Sequence, residues 1–277
     1  MKSLHLFYIF KEDGNMETNE YIKQYYERGG EDGRLLSRHG SVEFLTTVRY
    51  VEKYLREGMK ILEIGAGTGR YSHYFAQNGY VVDAVELCEC NIEVFRRNTV
   101  PGETITIRQG NALNLSEYSG NTYDITLLLG PMYHLYTKEN QLKALSEAIR
   151  VTKKGGIVFT AYCNNDASVI QFCFVRGNIR SYMEEGMIDP VTFKCASTPK
   201  EVFELYTKSE IDELMAHFNV SRLHYIGTDM ATNFIRDTVD AMDDETFELY
   251  LRYHFSVCER PEMVGATHHM LDIFRKV

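Results

Sequence analysis

The sequence predicts an α/β fold, doubly wound around a mostly parallel sheet. Three observations carry that reading. Short apolar runs alternate with stretches of helical periodicity between residues 60 and 162, as expected of parallel strands covered on both faces by crossover helices. The first run, Ile61-Leu62-Glu63-Ile64, ends in three glycines at alternate positions, Gly65, Gly67 and Gly69, before a helical pattern opens at Arg70. The second run ends in an acid, Glu86, roughly twenty residues past that loop, where an acid can take both hydroxyls of a ribose.

The elements follow in order. Residues 17–28 read as a helix with Tyr21, Ile22, Tyr25 and Tyr26 on one stripe, ended by Gly29-Gly30. Val42, Leu45, Val48, Val51, Tyr54 and Leu55 recur at helical spacing up to Gly58. Strand one is Lys60 to Ile64, and its helix runs from Arg70 to Asn78, with Gly79 suited to the left-handed position after it. Strand two is Tyr80 to Glu86, followed by a helix from Cys90 to Asn98 that Pro101-Gly102 breaks. Strand three is Thr104 to Arg108. Strand four, Tyr123 to Leu129, is apolar enough for the sheet centre. A helix over 138–152 is closed by Lys153-Lys154-Gly155-Gly156, and strand five is Ile157 to Tyr162.

Beyond Tyr162 the pattern loosens. Residues 163–206 hold no clear strand, a helix fits Val169 to Met183, and the region reads as a cap over the substrate side. Ser209-Glu210-Ile211-Asp212 reads as a capping-box start. Strand six is Val220 to Ile226, a helix runs from Asp243 to Cys258, and the last strand is His268 to Arg275. Residues 1–15 are expected to be irregular or loosely attached.

Composition limits the function. The chain has 277 residues, suited to one domain with insertions or a cap. Its net charge of −9, with no segregated basic patch, makes it a poor partner for nucleic acid. Six scattered cysteines with no CxxC pair do not suggest zinc, and without a signal peptide they fit a reducing, cytoplasmic setting. The apolar run Leu4 to Phe10 is too short to span a membrane. A small-molecule substrate, no metal, and a monomer or homodimer are the expectations.

The glycine spacing separates two nucleotide-like ligands. A dinucleotide loop reads G-x-G-x-x-G, whereas this one reads G-x-G-x-G with Glu63 before it. It resembles the first motif of class I S-adenosyl-L-methionine (SAM) methyltransferases. The resemblance is detailed from Lys60 to Tyr162 and rests on element order from Ser209 onward. It implies a Rossmann-like seven-stranded sheet, mostly parallel, with the last strand inserted antiparallel beside the fifth. It also implies an N-terminal tail and helical lid over residues 1–58, and a methyltransferase domain over 59–277 with the cap insertion at about 163–206. The plain alternative is that the first two helices only cover the sheet.

By the same resemblance SAM is the cofactor, met by Glu63, Gly65, Ala66, Gly67 and Gly69 at the loop and by Glu86 at the ribose. Leu87 is implied to pack on adenine. Gln109-Gly110-Asn111-Ala112 is similar to the family's G-D-A stretch, with Asn111 in place of the acid and the Ala112 amide facing the ring. Leu129-Gly130-Pro131-Met132-Tyr133-His134-Leu135 is similar to the L-G-P-x-Y-H-L form of small-molecule methyltransferases near the ubiquinone/menaquinone group. Leu129 and Gly130 would border the sulfonium, with Tyr133 and His134 placed where a base acts. Tyr25, Tyr26, Arg34, His39 and His254 are substrate-binding candidates, as is His268, and each also has a bland reading as core aromatic or surface charge. His268 and His269, neighbours in a strand, are expected to point opposite ways. Two other functions compete: an NAD-dependent oxidoreductase, and a SAM-binding regulatory or scaffold protein without turnover.

Overall fold

A computed structural model describes residues 18–277, so the expectation for residues 1–15 lies outside it. Two helices come first, α1 (Thr18–Glu27) and α2 (Arg38–Glu52), the second capped by the Ser37 hydroxyl, which accepts the Gly40 amide. The alternating core follows: β1 (Lys60–Ile64), α3 (Arg70–Gln77), β2 (Val81–Glu86), α4 (Glu89–Asn98), β3 (Ile105–Gln109), β4 (Tyr123–Leu128), α5 (Lys138–Val151) and β5 (Thr152–Asn164). The chain then forms α6 (Asn165–Ser168), a π-helical stretch over Val169–Val175, α7 (Ile179–Glu184), β6 (Leu205–Tyr206) and α8 (Lys208–Met215). It ends with β7 (Val220–Gly227), α9 (Arg236–Asp240), α10 (Asp244–Val257), α11 (Pro261–Val264) and β8 (His269–Lys276).

The sheet order is β3-β2-β1-β4-β5-β8-β7, with β6 paired to β5. Strands β1 to β5 are parallel, and β8 runs antiparallel between β5 and β7. Successive side chains of a strand point to opposite faces, and the core divides accordingly. Ile61, Leu127, Phe159 and Ile273 join the cluster beneath α2 and α3, while Leu62, Leu128, Val158 and Phe274 join the one beneath α5 and α8.

Four expectations are corrected. Strand five is longer than Ile157 to Tyr162. Lys153–Gly156 does not close the helix but bulges out of β5, where Tyr123 pairs with Thr152 and Ile125 with Ile157; Gly155 turns through φ +79° there, and Lys153 Nζ donates to Asp124 at 2.8 Å. The helix over Val169 to Met183 is broken at Gly177, φ +76°. The 163–206 region contains a short strand after all, since Leu205 and Tyr206 pair with Cys163 and Asn164. The capping box belongs to Thr207 and Glu210 rather than to Ser209.

This topology places the site. The ends of β1, β2, β3, β4 and β5, the end of β7 and the start of β8 all lie on one edge of the sheet. Ligands of open α/β sheets bind beyond that edge.

Candidate cofactor and acceptor cavity

A cavity of about 730 Å³ opens along this edge. Its β3-β2-β1 half is lined by Asn111, Ala112, Glu86, Leu87, Gly65, Ala66 and Gly67, and its β4-β5-β8 half by Leu129, Gly130, Tyr133, His134, Cys163 and His269. Tyr25 and Tyr26 of α1, Arg34 of the following turn, and Phe172, Pro199 and Phe203 of the 163–206 region complete the walls.

The glycine loop is held by its own amides. Gly65 and Ala66 both donate to the Val85 carbonyl, at 2.8 and 3.0 Å, Gly67 donates to Glu86 Oε2 at 2.9 Å, and Gly69 donates to the Ala66 carbonyl at 2.9 Å. A pyrophosphate cradle needs such amides unspent and aimed at the ligand, and these four are spent. The loop's glycines instead permit close packing. A Cβ on Gly65 (φ +74°) would lie 2.5 Å from Pro131 Cδ, and one on Gly69 (φ +91°) would lie 2.4 Å from the Phe95 ring. Gly69 therefore seats α3 against α4 and is absent from the cavity wall. Gly130 lies against the Gly65 carbonyl, 3.3 Å from an added Cβ. The β1 and β4 turns thus lock together at the sheet centre.

Acids dominate this half: Glu31, Asp32, Glu63 and Glu86 all line it. Glu86 is buried, and its Oε1 accepts the Cys88 amide at 2.9 Å and the Asn91 side chain at 3.3 Å. With the Gly67 bond, three of about four acceptor positions on the carboxylate are filled. Burial pushes its pKa up, against these hydrogen bonds. Glu63 is more strongly affected. Burial raises its carboxyl to about 8, although the Ser72 hydroxyl of α3 donates to it. Asn111 uses its side-chain oxygen to accept the Leu113 amide at 2.9 Å, closing its own turn.

On the other half, His134 is buried between two partners. Nδ1 faces the Val202 carbonyl at 2.8 Å, so it carries the proton, and Nε2 accepts from Tyr26 Oη at 3.0 Å. Burial lowers its pKa to about 4, which keeps the ring neutral. Val202 is a β-branched residue at φ +71°, a sterically costly conformation. Its carbonyl also accepts from Tyr136 Oη. Tyr133 is buried with its phenol pKa raised well above the ordinary range, first by desolvation.

Below Tyr133 lies a charge network. Arg34 grips Glu43 with Nη1 at 2.7 Å and Nη2 at 3.2 Å, and reaches Glu31 with Nε at 3.2 Å. His269 Nδ1 donates to Asp229 Oδ2 at 2.7 Å and lies 3.4 Å from Glu43. Burial opposes the charged imidazole, but Glu43 and Asp229 outweigh it and hold the pKa well above 6.5. Glu43, Asp229 and His269 are close enough to enclose an ion. Their charges are already balanced by one another and by Arg34.

Most residues named from sequence come together here: Glu63, Gly65, Ala66, Gly67, Glu86, Leu87, Asn111, Ala112, Leu129, Gly130, Tyr133, His134, Tyr25, Tyr26 and Arg34. His39 and His254 do not. His39 turns to Asp240, at 2.7 Å from Nδ1, and His254 is buried between α10 and α2, 2.9 Å from Thr46 Oγ1. His268 and His269 were expected to diverge, yet both line the cavity, because β8 begins at His269 and His268 precedes it. Sequence reasoning missed Glu43, Asp229 and Arg236. Glu43 falls on a helix next to the apolar stripe, and only packing shows that it is 8% exposed.

Residues 62–160 match the family described as methyltransferase domain. The chain is 31% identical over 142 residues to a ubiquinone biosynthesis O-methyltransferase of Methylocella silvestris, covering 51% of this chain and 54% of that protein. It is 24% identical to a protein of the same name from Vibrio atlanticus, covering 65% of this chain and 76% of that one. The chain thus spans about half the length of the Methylocella relative. In fold it is similar to magnesium protoporphyrin IX methyltransferase of Synechocystis PCC 6803, solved with bound S-adenosylhomocysteine (TM-score 0.58, 11% identity, covering 94% of this chain and 100% of that one). It is also similar to the cyclase SpnF (TM-score 0.57, 14% identity, 94% and 97%), so the fold by itself does not fix the chemistry. Residues 62–160 are thus similar to a methyltransferase domain, and the fold is similar to that of methyltransferases. Among the described residues no helix is long and apolar enough to cross a membrane.

Proposed function

We propose that the chain transfers a methyl group from SAM to a small-molecule acceptor held in the same cavity, by in-line displacement. The observation that carries this reading is a single cavity joining an acid-lined, glycine-turned half to an aromatic half across Gly130 and Tyr133. The residues present fit the cofactor. Glu86 keeps acceptor capacity for a ribose hydroxyl, Leu87 and Ala112 offer apolar walls for a base, and the acids suit a ligand bearing ammonium and sulfonium charge. When bound, SAM supplies a methyl carbon activated by positive sulfur.

The chain's own part is alignment and exclusion of water. Gly130 and Leu129 form the wall where the two halves meet, and Tyr133 borders the acceptor side. His134 is neutral with its acceptor lone pair occupied by Tyr26, so its role is to position the acceptor side rather than to take a proton. Tyr25 packs edge-to-face on Phe203 at 5.3 Å, and Tyr26 bonds His134, so α1 acts as a lid and the 163–206 region as a cap. The names of the sequence relatives support an oxygen acceptor.

The test is incubation of the full chain with methyl-labelled SAM and pooled small phenols, quinols and acids, followed by mass spectrometry. A labelled product with stoichiometric S-adenosylhomocysteine is expected. SAM binding without any product contradicts transfer, and absence of SAM binding contradicts the cofactor assignment.

A further inference from the structure

The cavity does not end at Tyr133. Strand order carries its wall from the end of β4 to Cys163 at the end of β5, His269 at the start of β8, and Thr228 just beyond β7. Asn233, Arg236 and His268 close this far lobe.

One of its cations has no ion-pair partner among the described residues. Arg34 is bound by two glutamates and His269 by Asp229. Arg236 is half-buried, and its guanidinium donates from Nε to the Asn233 carbonyl at 3.4 Å. No carboxylate lies within ion-pair distance of it among the described residues. Arg176 is near enough that, after burial, the like charge of Arg236 lowers its pKa. Asp229 is not free to answer, because it accepts from the Thr267 hydroxyl, the His268 and His269 amides, the His269 ring and the Asn233 side chain. Beside Arg236, His268 is 6% exposed and neither ring nitrogen has a hydrogen-bond partner. A buried polar ring left unpaired is costly. An uncompensated guanidinium and an unpaired imidazole in one lobe call for a ligand that brings negative charge and acceptor atoms.

We infer that the acceptor carries a carboxylate, received in this lobe by Arg236 with His268 as a second donor. This rests on the transfer reading above. A guanidinium fork matches the two oxygens of a carboxylate, and one unpaired cation suits a single negative charge better than a phosphate dianion.

The test uses the full chain saturated with S-adenosylhomocysteine. Calorimetry compares 3,4-dihydroxybenzoate, its amide and phenyl phosphate on wild type, Arg236→Gln and Arg236→Lys. The acid is expected to bind at least about ten-fold tighter than the amide. Arg236→Gln should weaken the acid about ten- to a hundred-fold and leave the amide unchanged, and Arg236→Lys should restore part of the loss. Equal binding of acid and amide, an unchanged ratio in Arg236→Gln, or no binding of the acid overturns the inference. Tighter binding of phenyl phosphate overturns the carboxylate in favour of phosphate. Titration of S-adenosylhomocysteine alone separates the two readings: if it binds and the acid preference is absent, only the carboxylate inference falls.

Discussion

Glu86 Oε2 accepts the Gly67 amide at 2.9 Å, tying the end of β2 to the turn after β1. One buried carboxylate therefore shapes the glycine loop and faces the cavity beside it. Replacing it removes both functions. Glu86→Ala is expected to weaken S-adenosylhomocysteine by about 1–3 kcal/mol, measured by calorimetry. Glu86→Gln should recover part of the fold stability, because its amide oxygen still accepts one backbone donor. Unchanged ligand affinity in Glu86→Ala removes Glu86 from the site.

Two glycines of one loop should respond differently. A Cβ at Gly65 collides with Pro131 at 2.5 Å, whereas a Cβ at Gly67 meets only Glu31 Cγ at 3.7 Å. Gly67→Ala then costs only the left-handed backbone, about 1–2 kcal/mol. Gly65→Ala adds a steric clash and should lower the melting temperature well beyond that of Gly67→Ala. Equal melting temperatures contradict the locked β1–β4 turns.

Glu63 gives the cavity a pH dependence. Burial raises its folded pKa to about 8, above its unfolded value near 4.5. Its contribution to stability is therefore fully present below about 4.5 and is lost as pH rises through about 8. A cationic ligand favours the ionised form. SAM affinity should thus rise with pH from about 6 to 8, and Glu63→Gln should flatten both trends. Titrations at three pH values, with parallel melting curves, decide this; a wild type already flat over that range contradicts it.

Tyr26 and His134 join α1 to the β4 turn through a 3.0 Å bond. Tyr26→Phe leaves His134 Nε2 buried without a donor and should cost about 1–3 kcal/mol, read by denaturant unfolding. It should also speed proteolysis of α1. Loss of His134 itself should lower turnover by less than about a hundred-fold, because a ring held at about 4 is a poor base near neutral pH. A larger loss, with a pH profile controlled by this residue, restores a proton-transfer role.

Much of the fold was legible because local signals agreed with the global one. Lys60–Ile64 and Tyr123–Leu128 are apolar runs that a parallel sheet buries on both faces, and their limits were read to within a residue. The loop and Glu86 were legible because a short motif fixes both residue type and spacing. The cap was not. Its π-helical stretch, the break at Gly177 and the two-residue β6 depend on tertiary pairing with β5, which has no period of its own. The acceptor half was legible only in part, since Arg34 and Glu43, Asp229, and His269 come from three distant stretches and meet through packing. His39 and His254 were named for their chemistry, and α9 and α2 claimed them instead.

The most direct test of the account is calorimetric titration of the full chain with S-adenosylhomocysteine and, separately, with NAD. The account predicts a one-site isotherm for S-adenosylhomocysteine, weakened in Glu86→Ala, and no heat of binding for NAD. Binding of NAD with none of S-adenosylhomocysteine would contradict it.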